Sequence, residues 1–166
     1  RLLPGSRECR SDDEVAMQVG TAARAAAEVW LGDTRTIVAG LSRGPIAWAL
    51  DGDVVALDSV ASDEDLGSLV VGLLDRGATT VDAPVSRPLF AAAGDRSYRQ
   101  LYREYVVVSV DREGDELRFD PWIPGSRGLV GPAEDRHRLL HHPVDDAEVG
   151  RVVREVARHS RRRTDT

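Results

Sequence analysis

The sequence predicts an α+β domain with a largely antiparallel sheet, built from two strands-then-helix units that echo each other. Two stretches carry the argument, SDEDLGSLVVGLL at 62–74 and DDAEVGRVVREVA at 145–157. Laid over each other, they put Asp63 on Asp146, Leu66 on Val149, Gly67 on Gly150, Val70 on Val153 and Leu73 on Val156. Apolar residues recur in both at three- and four-residue steps, the spacing of one helix face. Short apolar runs, 54–57 and 139–140, end just ahead of each stretch. Two copies that each include strands predict a pseudo-twofold single domain rather than a solenoid.

Taken in order, residues 1–11 read as a loose lead-in. The alanine-rich stretch DDEVAMQVGTAARAAAEVW, from Asp12, predicts a helix with acids in its first turn. Residues 1–32 are therefore read as an N-terminal lead-in and helix appended to a core domain at 33–160, with a disordered tail at 161–166. Residues 36–39, 46–50 and 54–57 read as short strands, and Asp51-Gly52 as the hairpin turn between the last two. Ser62 and Asp145 are N-cap residues for the two repeated helices. Gly67 and Gly150 lie inside those helices, where glycine costs about 1 kcal/mol relative to alanine, so each predicts a close approach, expected to be by a strand.

VDAPVSRP at 81–88 is a proline-punctuated crossing, and a short helical piece resumes in LFAAAGDRSYRQLYREY. Tyr98, Leu101, Tyr102 and Tyr105 share one side of it, which predicts packing rather than base stacking. Residues 106–110 form a strand, DREGDE an acidic reversal, and residues 117–119 the return. The stretch DPWIPGSRGLVGPAEDR at 120–136 is too rich in proline and glycine for regular structure and reads as a long exposed loop or a broken edge. Residues 138–141 form the last strand.

Composition bounds the function. The chain of 166 residues is 42% hydrophobic, enough for one core without crosslinks. Acidic residues outnumber basic ones by 28 to 22, a formal net charge of −6. That disfavours non-specific nucleic-acid binding and favours a basic partner. The lone cysteine, Cys9, rules out an internal disulfide and suits a cytoplasmic protein. No apolar run approaches the roughly 20 residues a membrane helix needs. No phosphate loop, zinc-ligand spacing or nucleophile elbow occurs, so neither a catalytic constellation nor a cofactor is expected. His141 and His142 are adjacent, would point to opposite faces of a strand, and could not jointly hold a metal. The candidate partner-binding residues are the charged turn Asp111, Glu113, Asp115 and Glu116, with Trp122 and Arg127 on the neighbouring loop.

The order of parts from Trp48 to His159 resembles the immunity proteins of contact-dependent growth inhibition systems. The residues that carry the resemblance are the hairpin AWALDGDVVALD, the two acidic, Gly-centred helices, and AAAGDRSYRQLYREYVVVSV leading into a valine-rich strand. The resemblance implies a non-enzymatic, bacterial, cytoplasmic inhibitor whose partner is the toxin domain, often a nuclease, at the C-terminus of a large surface-delivered protein. It implies a Whirly type of fold, with a strand where the alanine-rich helix is read. The alternative function, on fold analogy alone, is a single-stranded nucleic-acid-binding module.

Overall fold

The computed structural model describes residues 24–77, 79–125, 128–132 and 136–161. Among the described residues seven strands and four helices follow one another as β1 (Arg24–Leu31), β2 (Arg35–Arg43), β3 (Trp48–Asp58), α1 (Asp63–Asp75), α2 (Arg87–Ala92), α3 (Tyr98–Glu104), β4 (Val106–Glu113), β5 (Glu116–Gly125), β6 (Gly128–Pro132), β7 (Arg138–His141) and α4 (Asp146–Arg161). The sheet runs β3-β2-β1-β4-β5-β6, with β7 also pairing β5, and each of these pairings is antiparallel. The fold is α+β, strands first and helix after, in both halves. Its two halves meet at the central β1–β4 pair, so β3-β2-β1 mirrors β7-β5-β4 about that seam.

The helices α1 and α4 lie side by side on one face, α1 over β1 and β2, α4 over β4 and β5. Ser62 starts α1 with a capping box: its hydroxyl accepts from the Asp65 amide at 3.0 Å, and Asp65 accepts from the Ser62 amide at 3.3 Å. At α4 the Asp145 carboxylate accepts from the Ala147 amide at 3.2 Å. What crosses close at the two glycines is the other helix, and not the strand expected from sequence. A Cβ on Gly67 would overlap the Asp146 carbonyl, reaching its carbon at 2.6 Å. A Cβ on Gly150 would overlap the Asp63 carbonyl, reaching its carbon at 2.7 Å. Each helix thus notches over the first turn of its counterpart, and Arg154 ties them further by donating to Asp63 at 2.8 Å and to the Ala61 carbonyl at 2.6 Å.

The alanine-rich stretch is corrected most. Residues 24–31 form a strand at the centre of the sheet, flanked by β2 and β4, so this part of the expected N-terminal appendage belongs to the core; residues 12–23 of the expected helix lie outside the described residues. Alanine's helix advantage is at most about 0.7 kcal/mol per residue. It is outweighed here by two full hydrogen-bond ladders and by burial of Ala25, Ala26, Ala27, Val29 and Trp30 to 3% exposure or less.

Two turns also move. Asp51-Gly52 is not a hairpin but a kink within the continuous β3, opposite the irregular register between Ala39 and Leu41, with Gly52 at φ +92. The hairpin turn lies earlier, where the Gly44 amide donates to the Ala47 carbonyl at 2.8 Å. Of the two alternatives for the proline-rich stretch, the broken edge is the one found and the loop is not: Pro121 pairs with Val108, a second irregularity at Ile123/Pro124 admits the proline into β5, and β6 ends the sheet.

Candidate functional site

The register across the sheet decides which side chains share the face opposite α1 and α4. Glu28 on β1 lies beside Ala39 on one flank and Ser109 on the other, and Ser109 pairs with Asp120. The neighbouring row runs Leu41, Ala26, Asp111 and Arg118. This face therefore has two characters. Toward β2 and β3 it is apolar and covered by α2, with α3 lying over Trp30 of β1 and reaching β6; along β4 and β5 it carries charge.

The aromatic half is a continuous ladder. Trp30 stacks on Tyr102 at 5.6 Å, Tyr102 on Tyr98 at 5.7 Å, and Tyr98 meets Phe90 edge-on at 4.7 Å. The tyrosines of α3 are packing residues, as their spacing predicts; Tyr98 also shares a hydrogen bond with Ser86 at 2.7 Å.

The polar half holds carboxylates in a desolvated setting. Burial pushes Glu28 up to about 7, aided by the negative charge of Asp111 and opposed by the Trp30 indole N–H, which donates to it at 3.1 Å. Burial also pushes Asp111 up to about 6, with Asp120 reinforcing the shift and Arg118 and Arg24 opposing it. Asp120 is buried and accepts two bonds from the Arg118 guanidinium, at 2.8 and 3.1 Å. Nothing in the sequence marks Glu28 as part of such a group, because its row partners lie on distant strands.

The expected partner-binding residues separate on this scaffold. Asp111 is a half-buried strand residue rather than part of the turn. Glu113 forms an exposed ion pair with Arg24 at 2.6 Å. Asp115 is exposed in the turn, where its carbonyl accepts from the His142 amide at 2.7 Å. Glu116 opens β5 between Glu113 and His141. Trp122 stands on a strand and not on a loop, packed against the aromatic half, with its carbonyl taking a hydrogen bond from Ser160 at 3.1 Å. Among the described residues, its indole N–H is the buried side-chain donor without a hydrogen-bond partner. Arg127 and Cys9 lie outside the described residues. Among the described residues, no three His, Cys, Asp or Glu side chains converge as a metal site would need, and no helix is long and apolar enough to cross a membrane.

On the opposite face a polar latch joins the kink of β3 to the end of α1. Asp51 accepts from Ser42 at 2.8 Å, from Arg76 at 2.7 Å and from the Asp53 amide at 3.0 Å, and Arg76 also pairs with Asp53. The group satisfies itself internally and closes over Gly40, where a Cβ would lie 2.8 Å from the Asp51 carboxylate.

Solved structures share this architecture. A chain of a CdiA-CT/CdiI toxin and immunity complex from Yersinia pseudotuberculosis superposes with a TM-score of 0.63 and 19% identity, over 82% of this chain and 97% of that one. The chain thus shares the fold of one component of that toxin and immunity complex. A protein of unknown function from Neisseria meningitidis superposes equally well, with a TM-score of 0.64 and 16% identity, over 85% of this chain and 97% of that one. No protein-family profile and no curated protein sequence matches the chain. At such identities the likeness fixes the fold and leaves individual contact residues to be argued from this chain.

Proposed function

We propose that the chain is an immunity protein that binds and neutralises the toxin domain of a contact-dependent growth inhibition or similar interbacterial system, acting in the cytoplasm as a stoichiometric inhibitor without catalysis. The observation that carries this reading is the likeness to a chain of a toxin and immunity complex along 97% of that chain's length. The toxin domain is expected to be basic, and a nuclease suits that charge, because a chain of net charge −6 speeds capture of a cationic partner. The nucleic-acid reading gains nothing from the sheet: Glu28, Asp111 and Asp120 line the face where phosphates would have to sit.

The expected product is a one-to-one complex burying about 1,200–2,000 Å². Co-expression provides the test. Cells making the toxin domain encoded in the adjacent reading frame should grow when this chain is present and fail without it. Continued growth arrest in the presence of folded chain removes the proposal.

A further inference from the structure

We propose that the tip of the β2–β3 hairpin, with the groove beside it, is the surface that grips the toxin domain; this rests on the immunity function above and assigns the site of contact. The sequence directs attention to the acidic β4–β5 turn instead. That turn offers charge but no apolar anchor, and its Glu113 is already engaged by Arg24 at 2.6 Å. Exposed charge pairs contribute little to holding a complex together, whereas buried aliphatic, aromatic and arginine side chains dominate.

The β2–β3 tip has what the acidic turn lacks. Ile46 is 99% exposed, a β-branched apolar side chain presented wholly to solvent. Beside it opens a groove of about 560 Å³ lined by Pro45, Trp48 and Val81, with Arg24, Arg43 and Asp82 as the charged residues of its walls. Register places Arg43 opposite Trp48 at the base of the hairpin. Arg24 is held by Glu113, while among the described residues no ion pair engages Arg43.

The surface is also built in advance. The Gly44–Ala47 hydrogen bond closes the tip, and the segment after α1 clamps its base: the Arg43 amide donates to the Thr79 carbonyl at 2.9 Å, and the Val81 amide to the Arg43 carbonyl at 3.0 Å. A preformed groove spends little ordering entropy on binding. The occupant that fits is a segment of the toxin domain bearing an apolar side chain, to lie against Pro45 and Trp48 beside Ile46, and a carboxylate to pair with Arg43. With Arg24 engaged by Glu113, and Asp82 opposite in sign, Arg43 is the cation left to meet that carboxylate, and its fixed place beside Trp48 gives the contact a defined orientation.

The test measures affinity of the purified chain for the toxin domain from the adjacent reading frame. Ile46→Asp and Arg43→Glu should each weaken binding at least tenfold, chiefly through faster dissociation, with unchanged thermal melts because both side chains are exposed. Val60→Asp, at an equally bare aliphatic residue of 89% exposure beyond the far end of β3, should bind as the original chain does. If the original chain binds and rescues growth while Ile46→Asp and Arg43→Glu stay within twofold of it, this surface is wrong and the immunity function stands. If the original chain itself neither binds nor rescues, both fall together.

Discussion

The two faces of the sheet solve the same burial problem in opposite ways. Under α1 and α4 the central strands present a mainly apolar face, Ala25, Ala27, Val29 and Leu31 from β1, Val108 and Val110 from β4, Leu117 and Phe119 from β5, with Arg112 at its margin donating to the Leu74 carbonyl at the end of α1. The reverse face of those same strands presents Glu28, Ser109, Asp111, Arg118 and Asp120. One face is optimised for cohesion. The other gives up cohesion, keeping carboxylates where water is scarce, and natural sequences accept such costs where a surface has work beyond packing.

Breaking the cohesive face should produce the largest effects. Gly67→Leu and Gly150→Leu each force a side chain into the backbone of the facing helix, with no flexible neighbour to give way. Each is expected to cost 3 kcal/mol or more, at the upper end for overpacking, because the clash is with peptide carbonyls and not with side-chain tips. Denaturant melts should show both variants severely and similarly destabilised. A marked difference between them would break the equivalence of the two helices.

The polar face predicts a pH dependence that the cohesive face cannot. Glu28 and Asp111 have folded-state values near 7 and 6, above the ordinary values of 4.5 and 3.8. Between those limits the folded chain binds more protons than the unfolded one, so stability is greatest below about pH 4 as far as these groups are concerned and declines as pH rises through 7. Glu28→Gln keeps an acceptor for the Trp30 N–H and removes the charge. It should match the original chain below about pH 4 and exceed it at pH 8 by on the order of 1–3 kcal/mol. Parallel stability profiles for the two proteins would show that Glu28 is well solvated after all.

A smaller effect sharpens the account of the cohesive face. Ser62→Ala removes the α1 capping box and should cost about 1 kcal/mol, with no change in pH profile. A loss near zero would mean that α1 is held in place by its packing on α4 and the sheet, and not by its cap.

The same contrast explains what could be read from sequence. The helices α1 and α4 are legible because their apolar spacing and caps are local, and the interior glycines correctly announce a close approach. What approaches is not local information: the sequence predicts a strand, and the other helix stands there. β1 is illegible for a related reason: Ala25, Ala26 and Ala27 suit a helix by themselves, and only ladders to β2 and β4 make them a strand. The polar face is harder still. Asp111 looks like part of a solvated turn, and Glu28 looks like an ordinary helix acid, until the register sets them one row apart. Trp122 suffers from its prolines, which suggest a loop where an irregular strand exists.

The smallest effect separates steering from grip. At the open end of the polar face, Glu113 and Glu116 sit opposite each other on β4 and β5, with Asp115 in the turn between them. Reversing Glu113, Asp115 and Glu116 to lysine should change stability by no more than about 1 kcal/mol, since the Arg24–Glu113 pair is more than half exposed on both sides. Association with a basic toxin domain should nevertheless slow severalfold at low salt. The difference should shrink as ionic strength rises, because exposed charges are screened over roughly 8 Å at physiological salt. Dissociation should stay unchanged, in contrast to Ile46→Asp, which should alter dissociation and leave association nearly intact. Stopped-flow and surface-binding kinetics on the two variants read these rates independently. If the charge-reversed hairpin instead accelerates dissociation, the acidic turn is part of the grip, and the division of labour between the β2–β3 tip and the charged end of the sheet does not hold.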